Sequence, residues 1–141
     1  MKFGIIDPAA KTLVVRDFRT LHDVYCVAGL QPSKVDHGTI ARGLAIVVYE
    51  FGLFEPADRT RYFSMTGGLY AGNAVLYGYD EAGETVDVHE SMVPPITFFD
   101  TVGDIVVAMI RGLVRRPRHS VNNEPPTWQW PQPMPAYMRR E

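Results

Sequence analysis

The chain has 141 residues and a formal net charge of −2, with 46% hydrophobic and 21% charged residues. This length predicts one domain, and the composition excludes a chain that is disordered throughout. The longest apolar runs, at 44–49 and 105–110, are too short to span a bilayer, and the first residues turn acidic too early for a signal peptide. We therefore expect a cytoplasmic protein without a membrane partner.

The first third of the chain predicts a β-hairpin followed by a short helix. Residues 3–6 and 12–16 have strand composition, and Asp7-Pro8 between them favours a turn. Apolar residues then recur at helical spacing from 21 to 28, after Thr20 as a capping residue and before Gly29 as a left-handed end. The single cysteine, Cys26, excludes an internal disulfide, and its apolar surroundings predict a buried side chain.

The rest of the predicted domain is a run of strands and a second helix. Strand composition at 40–42, 44–50, 61–65, 70–79 and 85–88 precedes an apolar helical repeat over 102–113, which predicts three to four turns after Thr101. The fold class predicted is α+β: a curved, mainly antiparallel sheet of five to six strands, one short helix after the first hairpin, and one longer C-terminal helix. We place this single domain at residues 1–116.

The composition changes after Pro117. Residues 117–141 hold six of the eleven prolines together with Trp128, Trp130 and Tyr137, which favours an extended segment. Because tryptophan is rarely left in water, we expect this tail to pack on its own domain or on a neighbouring subunit of a homo-oligomer. The alternative is a recognition segment for another protein.

Three stretches carry a resemblance to a known family. They are the opening Phe3-Gly4-Ile5-Ile6-Asp7-Pro8, the helix at 21–29, and a third stretch formed by Gly67-Gly68, Ala71-Gly72-Asn73-Ala74-Val75-Leu76-Tyr77-Gly78-Tyr79-Asp80, Gly83-Glu84 and Asp87. On these residues the chain from residue 1 to about residue 88 resembles the domain of unknown function 3846 family of phage and plasmid genomes. The resemblance implies a mobile-element accessory protein, a kind that often counters host defence, and it implies no catalytic residue.

The charges are segregated along the chain. Residues 80–104 hold seven acids and no lysine or arginine, whereas residues 111–141 hold six arginines against two acids. The basic cluster Arg111, Arg115, Arg116 and Arg118 is the first candidate ligand site, because guanidinium groups bind phosphate with two hydrogen bonds. If the helix continues, Arg111, Arg115 and Arg118 share one face; alternatively, the arginines only complement the helix dipole.

A second set of candidates lies on the predicted strands. Tyr70 and Asn73, with Tyr77 and Tyr79 nearby, could line a ligand groove, although strand aromatics more often pack in the core or across strands. The four scattered histidines show no metal-ligand spacing, so we expect no metal and no cofactor. Ser64 and Ser91 could be imagined as nucleophiles, but no sequence pattern pairs either with a base.

These observations predict a binding protein that is not an enzyme. The leading hypothesis is a phage-type accessory protein that sequesters an anionic small molecule, such as a nucleotide immune signal. The alternative is an interaction module that inhibits a host protein through the Pro/Trp tail or a sheet edge. The net charge of −2 disfavours binding to duplex nucleic acid.

Overall fold

The α+β class is confirmed in the computed structural model, which describes residues 1–54 and 60–115. The strands in this part of the chain are β1 (Lys2–Asp7), β2 (Thr12–Asp17), β3 (Val35–Ala41), β4 (Leu44–Tyr49), β5 (Tyr62–Met65), β6 (Gly68–Ala71), β7 (Ala74–Tyr79), β8 (Thr85–Val86) and β9 (Ile96–Phe99). The helices are α1 (Leu21–Ala28) and α2 (Val102–Ile110), and short 3₁₀ helices lie at Pro32–Lys34, Gly52–Phe54 and Glu90–Met92.

The main sheet has six strands and is antiparallel throughout. Its order is β2-β1-β7-β4-β3, and β8 pairs with β7. The predicted first hairpin is confirmed, with register from Lys2 opposite Asp17 to Asp7 opposite Thr12. The Asp7 carboxylate accepts hydrogen bonds from the backbone N–H groups of Ala9 and Ala10, at 3.1 and 3.2 Å. These bonds stabilise the turn that follows β1.

A second sheet of three strands, in the order β6-β5-β9, was not predicted. The prediction of one strand over 70–79 is wrong, because Gly72 adopts a left-handed conformation with φ of 76° and turns the chain. Tyr70 therefore lies in β6 of the second sheet, whereas Tyr77 lies in β7 of the main sheet. The strand β9, which follows Pro94-Pro95, is also absent from the sequence prediction.

The core has three parts, which order the elements as four layers. One side of the main sheet packs on α1 through Phe3, Val24 and Val75. The other side packs on the second sheet in a cluster of Ile6, Ile40, Leu44, Ile46, Phe63, Met65, Ala74, Leu76 and Val88. The outer side of the second sheet packs on α2 in a cluster of Tyr62, Leu69, Ala71, Phe99, Ile105, Ala108 and Val114. The layers are thus α1, main sheet, second sheet and α2.

Both helices begin at the predicted caps. The side chains of Thr20 and Thr101 each accept a backbone N–H three residues later at 3.1 Å, and Gly29 ends α1 with φ of 77°. The Cys26 prediction is wrong: its side chain is exposed, because it stands outside the stripe of α1 that contacts the sheet. Within the described residues, neither helix is long and apolar enough to cross a membrane.

The second helix is shorter than predicted. It spans Val102–Ile110, or about two and a half turns instead of three to four. Gly112 has φ of 73° and donates its N–H to the Met109 carbonyl, while Leu113 donates to Ala108. This is the hydrogen-bond pattern of a glycine-terminated helix, and it reverses the chain after α2.

Candidate functional site

A cleft of about 510 Å³ opens where the chain crosses from the second sheet to the main sheet. It lies beside the end of α1, and segments that are distant in sequence contribute to its walls. The described lining residues are Pro8, Ala9, Ala28, Gly29, Leu30, Gln31, Lys34, Tyr49, Gly52, Thr60, Arg61, Ala71, Gly72 and Asn73. This volume lies within the range typical of small-molecule sites, about 300–1,000 Å³.

Hydrogen bonds between the segments fix the walls of the cleft. The Gly72 N–H donates to the Arg61 carbonyl at 2.8 Å, which joins the crossover to the residue before β5. The Asn73 amide Nδ2 donates to the Ala28 carbonyl at 3.0 Å and so ties the start of β7 to the end of α1. Because these bonds link separate layers, the backbone that carries the lining side chains is held in place before any ligand binds.

Three glycines contribute to the shape of the cleft because they carry no side chain. Among the described residues, no atom lies within 4 Å of a Cβ added at Gly29 or at Gly72, so no described neighbour fills either position. Gly52 has the opposite role: a Cβ there would lie 3.0 Å from the carbonyl oxygen of Ala71 and 3.3 Å from its Cβ. The absence of a side chain therefore lets the 3₁₀ helix Gly52–Phe54 approach β6 closely and form one wall.

The charged side chains of the described lining are both cationic. Lys34 and Arg61 line the cleft and are exposed, and the described lining includes no acid. Among residues 1–54 and 60–115, the ion pairs join Lys11 with Asp100, Arg42 with Glu81, and the N-terminus with Asp17. None of these pairs involves Lys34 or Arg61, so the described residues supply no carboxylate partner to either charge.

An aromatic wall and hydrogen-bonding groups complete the lining. The ring of Tyr49 lines the cleft and packs edge-on against Phe51, with centroids 6.1 Å apart. Thr60 also lines the cleft, and burial raises the pKa of the nearby Tyr62 phenol to about 12. The arrangement can hold a molecule that has an anionic group and a planar or apolar part.

The structure divides the predicted ligand residues between two places. Asn73 lies in the cleft, whereas Tyr70 lies between the sheets and stacks on Phe63 with ring centroids 5.3 Å apart. Burial raises the pKa of the Tyr70 phenol, and the nearby Arg115 charge partly opposes that rise. The described contacts of Tyr70 are therefore those of a core residue, as the alternative interpretation of strand aromatics predicts.

Arg111 and Arg115 do not share a helix face. Arg111 caps α2 and is exposed, and Gly112 then turns the chain away. Arg115 lies against the turn between β5 and β6, where its N–H donates to the Gly67 carbonyl at 2.7 Å and its guanidinium donates to the Thr66 carbonyl at 3.3 Å. Five further predicted site residues lie outside the described part of the chain: Arg116, Arg118, Trp128, Trp130 and Tyr137.

The two serines considered as nucleophiles lie in different environments. Ser64 is buried in β5 opposite Leu69 and Thr97, whereas Ser91 is exposed in the 3₁₀ helix Glu90–Met92. Within the described residues, no group of three or more His, Cys, Asp or Glu side chains is placed to hold a metal ion.

Comparison with family models, curated proteins and solved structures found no match to this chain. The resemblance of residues 1–88 to a phage and plasmid family therefore stays a prediction, and the candidate site rests on the geometry of this chain. Sequence reasoning found Asn73 but missed Lys34 and Arg61. No motif connects these two residues, and only the packing of the layers brings them to one cleft.

Proposed function

We propose that the protein binds a small anionic molecule in this cleft and releases it unchanged. The observation that carries the proposal is that the charged residues of the described lining, Lys34 and Arg61, are both cations without a described carboxylate partner. A charge-assisted hydrogen bond to a phosphate or carboxylate contributes about 1.5–3 kcal/mol. Two such bonds supply about 3–6 kcal/mol of the roughly 8 kcal/mol that corresponds to micromolar affinity, and contact on Tyr49 would add to them.

The end of α1 favours a ligand that also donates hydrogen bonds. Ala28, Gly29 and Leu30 line the cleft at the helix C-terminus, where the helix dipole is negative. The anionic group should therefore lie towards Lys34 and Arg61, and an amino or hydroxyl group should lie towards α1. A nucleotide satisfies both requirements, since it has phosphate at one end and hydrogen-bond donors on its sugar or base.

The resemblance of residues 1–88 motivates the biological form of the proposal. A phage-type accessory protein with such a cleft would sequester a nucleotide signal of host defence by holding it out of solution. This step rests on the resemblance alone. The alternative, in which the protein inhibits a host protein, would instead use surfaces such as the outer edge of β3, where Asp36, His37 and Thr39 are exposed.

Thermal unfolding with nucleotides tests the proposal and locates the site. At a concentration of about 100 times Kd, a ligand stabilises the fold by about 2.7 kcal/mol, or roughly 10 °C in Tm for a domain of this size. We expect such a shift with ATP, cyclic AMP or ADP-ribose. Native mass spectrometry of freshly purified protein should also detect any small molecule that co-purifies.

Two double variants with the same change in net charge separate the candidate sites. Lys34→Glu with Arg61→Glu should abolish the shift, whereas Arg111→Glu with Arg115→Glu should leave it unchanged. The reverse result would assign binding to the arginine cluster at the end of α2. No shift with any of these nucleotides, together with no co-purified molecule, would contradict the proposal.

A further inference from the structure

The helix α2 is an outer layer of the described structure and carries exposed apolar residues on the side away from the second sheet. Ile105 and Ala108 are buried against that sheet. Val107 and Ile110 are 45% and 79% exposed, and Leu113, just beyond the end of the helix, is 64% exposed. Single exposed apolar residues are ordinary, whereas a group of them on one element marks a contact surface.

The outer side of α2 has the spacing of a helix that pairs with another helix. Gly103, Val107 and Ile110 follow one another at intervals of four and three residues, which are the intervals between contact positions in a coiled coil. We call these three residues the α2 outer face. Gly103 is exposed, and among the described residues a Cβ added to it would meet Thr101 alone, at 3.6 Å. The glycine therefore leaves a notch that a large side chain of another helix can fill.

Opposite charges border the α2 outer face near its two ends. Asp104 lies in the first turn of α2, and Arg111 follows the helix directly with a right-handed backbone, φ of −78° and ψ of −2°. Because a spacing of seven residues is close to two helical turns, both side chains lie on the same flank of the face. Both are exposed, and neither belongs to an ion pair among the described residues. Each charge can therefore meet an opposite charge on a second helix.

An antiparallel pair of α2 helices matches the shape and the charge of this face together. If a twofold axis passes beside Val107, Ile110 of one copy faces Gly103 of the other, and Asp104 of one copy faces Arg111 of the other. The two residues of each pair then differ in height along the helix by only about 1.5 Å, the rise of one residue. The twofold axis repeats both contacts. A parallel pair would instead place Asp104 and Arg111 on opposite edges, where they would not meet.

We propose that the α2 outer face binds the same face of a second copy of this chain, as an antiparallel helix pair across a twofold axis. A second copy is favoured over an unrelated protein because the face is complementary to itself in both shape and charge. The contact is small, since α2 is only about 14 Å long, so we expect a weak dimer with a dissociation constant that is roughly micromolar or higher. This proposal is independent of the ligand cleft, which lies beside α1 and the sheet crossover.

Sedimentation velocity of the full chain between about 1 and about 300 μM tests the proposal, since this range brackets a weak dimer. We expect monomer at the low end and dimer at the high end. Ile110→Asp should raise the dissociation constant about tenfold or more, because it puts an unpaired charge into the apolar contact. Val27→Asp, at a 54% exposed position on α1, is the matched control and should leave the dissociation constant unchanged.

Charge reversal tests the antiparallel arrangement. Arg111→Asp alone and Asp104→Arg alone each bring like charges together twice in the dimer, so each should weaken it roughly tenfold. The two changes combined restore opposite charges and should return the dissociation constant to within about threefold of the wild type. If the charges served only the helix dipole, the combined variant would show no recovery.

A disulfide cross-link tests which residues meet at the twofold axis. In a Cys26→Ser background, Val107→Cys should form a disulfide between two copies under mild oxidation, because the axis brings the two copies of residue 107 together. In the same background Val27→Cys should remain largely uncross-linked, since it lies on α1, away from the proposed contact.

Each contrary result overturns the proposal in a different way. A wild-type chain that stays monomeric at about 300 μM would mean that the α2 outer face does not bind a second copy. A dimer that Ile110→Asp leaves intact would place the contact on another surface. Charge-reversed variants without recovery in the combined variant would refute the antiparallel pairing. If Ile110→Asp fails to fold, the cross-link of Val107→Cys decides the question, and its absence contradicts the proposal.

Discussion

The phenol of Tyr62 should make the fold lose stability at alkaline pH. Its side chain is 3% exposed in the cluster beneath α2, and burial raises its pKa from 10.0 to about 12. The unfolded chain loses this proton near pH 10, whereas the folded chain keeps it until about pH 12. The unfolded state therefore binds fewer protons in this window, so the free energy of unfolding falls as the pH rises through it and is unaffected below about pH 9. The difference of roughly two pKa units corresponds to about 3 kcal/mol, and about half of it should be lost near pH 11.

Urea unfolding of the wild type and of Tyr62→Phe at several values between about pH 8 and pH 11 measures this contribution. The variant keeps the ring in the cluster but has no proton to lose, so its free energy of unfolding should fall roughly 1 kcal/mol less than that of the wild type near pH 11. The comparison cancels Tyr25 and Tyr70, whose pKa values burial also raises. Loss of the hydroxyl group itself shifts the free energy of unfolding of the variant by an amount that does not depend on pH. Parallel curves would refute the reasoning, because the phenol would then ionise alike in both states.

Two substitutions in the sheets and one at a helix cap test the packing. Gly78→Ala should destabilise the fold by about 1–3 kcal/mol, because a Cβ would lie 2.9 Å from the Val86 carbonyl oxygen. Gly38→Ala is the matched control, since among the described residues its Cβ would meet Ile46 alone, at 3.5 Å, and it should be neutral or stabilising by about 0.5–1 kcal/mol in urea unfolding. Thr101→Ala should cost about 1 kcal/mol in the same assay through loss of the α2 cap, whereas Thr101→Ser should retain most of it.

Elements determined by neighbouring residues could be predicted from the sequence. The hairpin β1–β2 follows from the turn at Asp7, and both helices begin at the threonine caps because a side-chain oxygen satisfies a nearby N–H group. The end of α2 is different. The apolar repeat continues to Leu113, but the left-handed conformation at Gly112 ends the helix earlier, so periodicity alone overestimates its length.

The division into two sheets could not be predicted from local patterns. Residues 70–79 have strand composition throughout, and the turn at Gly72 depends on the layers that receive each half. The prediction that Cys26 is buried was wrong for the same reason. The composition of α1 is apolar around Cys26, but only one stripe of the helix contacts the sheet. The cleft depends on tertiary packing even more, because Lys34 and Arg61 become neighbours of one cavity only when the crossover is formed.

The layer order also explains why a cleft forms at this place and why the two candidate ligand sites can be tested separately. A chain that passes from one sheet to the next must leave both ladders, so Gly72 and Asn73 bond instead to the residue before β5 and to the end of α1. These bonds fix the backbone but fill little volume, and a cavity remains between the layers. The end of α2, with Arg111, lies on the far side of the second sheet, and the buried cluster around Tyr62 separates the two places. Substitutions at Lys34 and at Arg111 therefore test the two candidate sites separately.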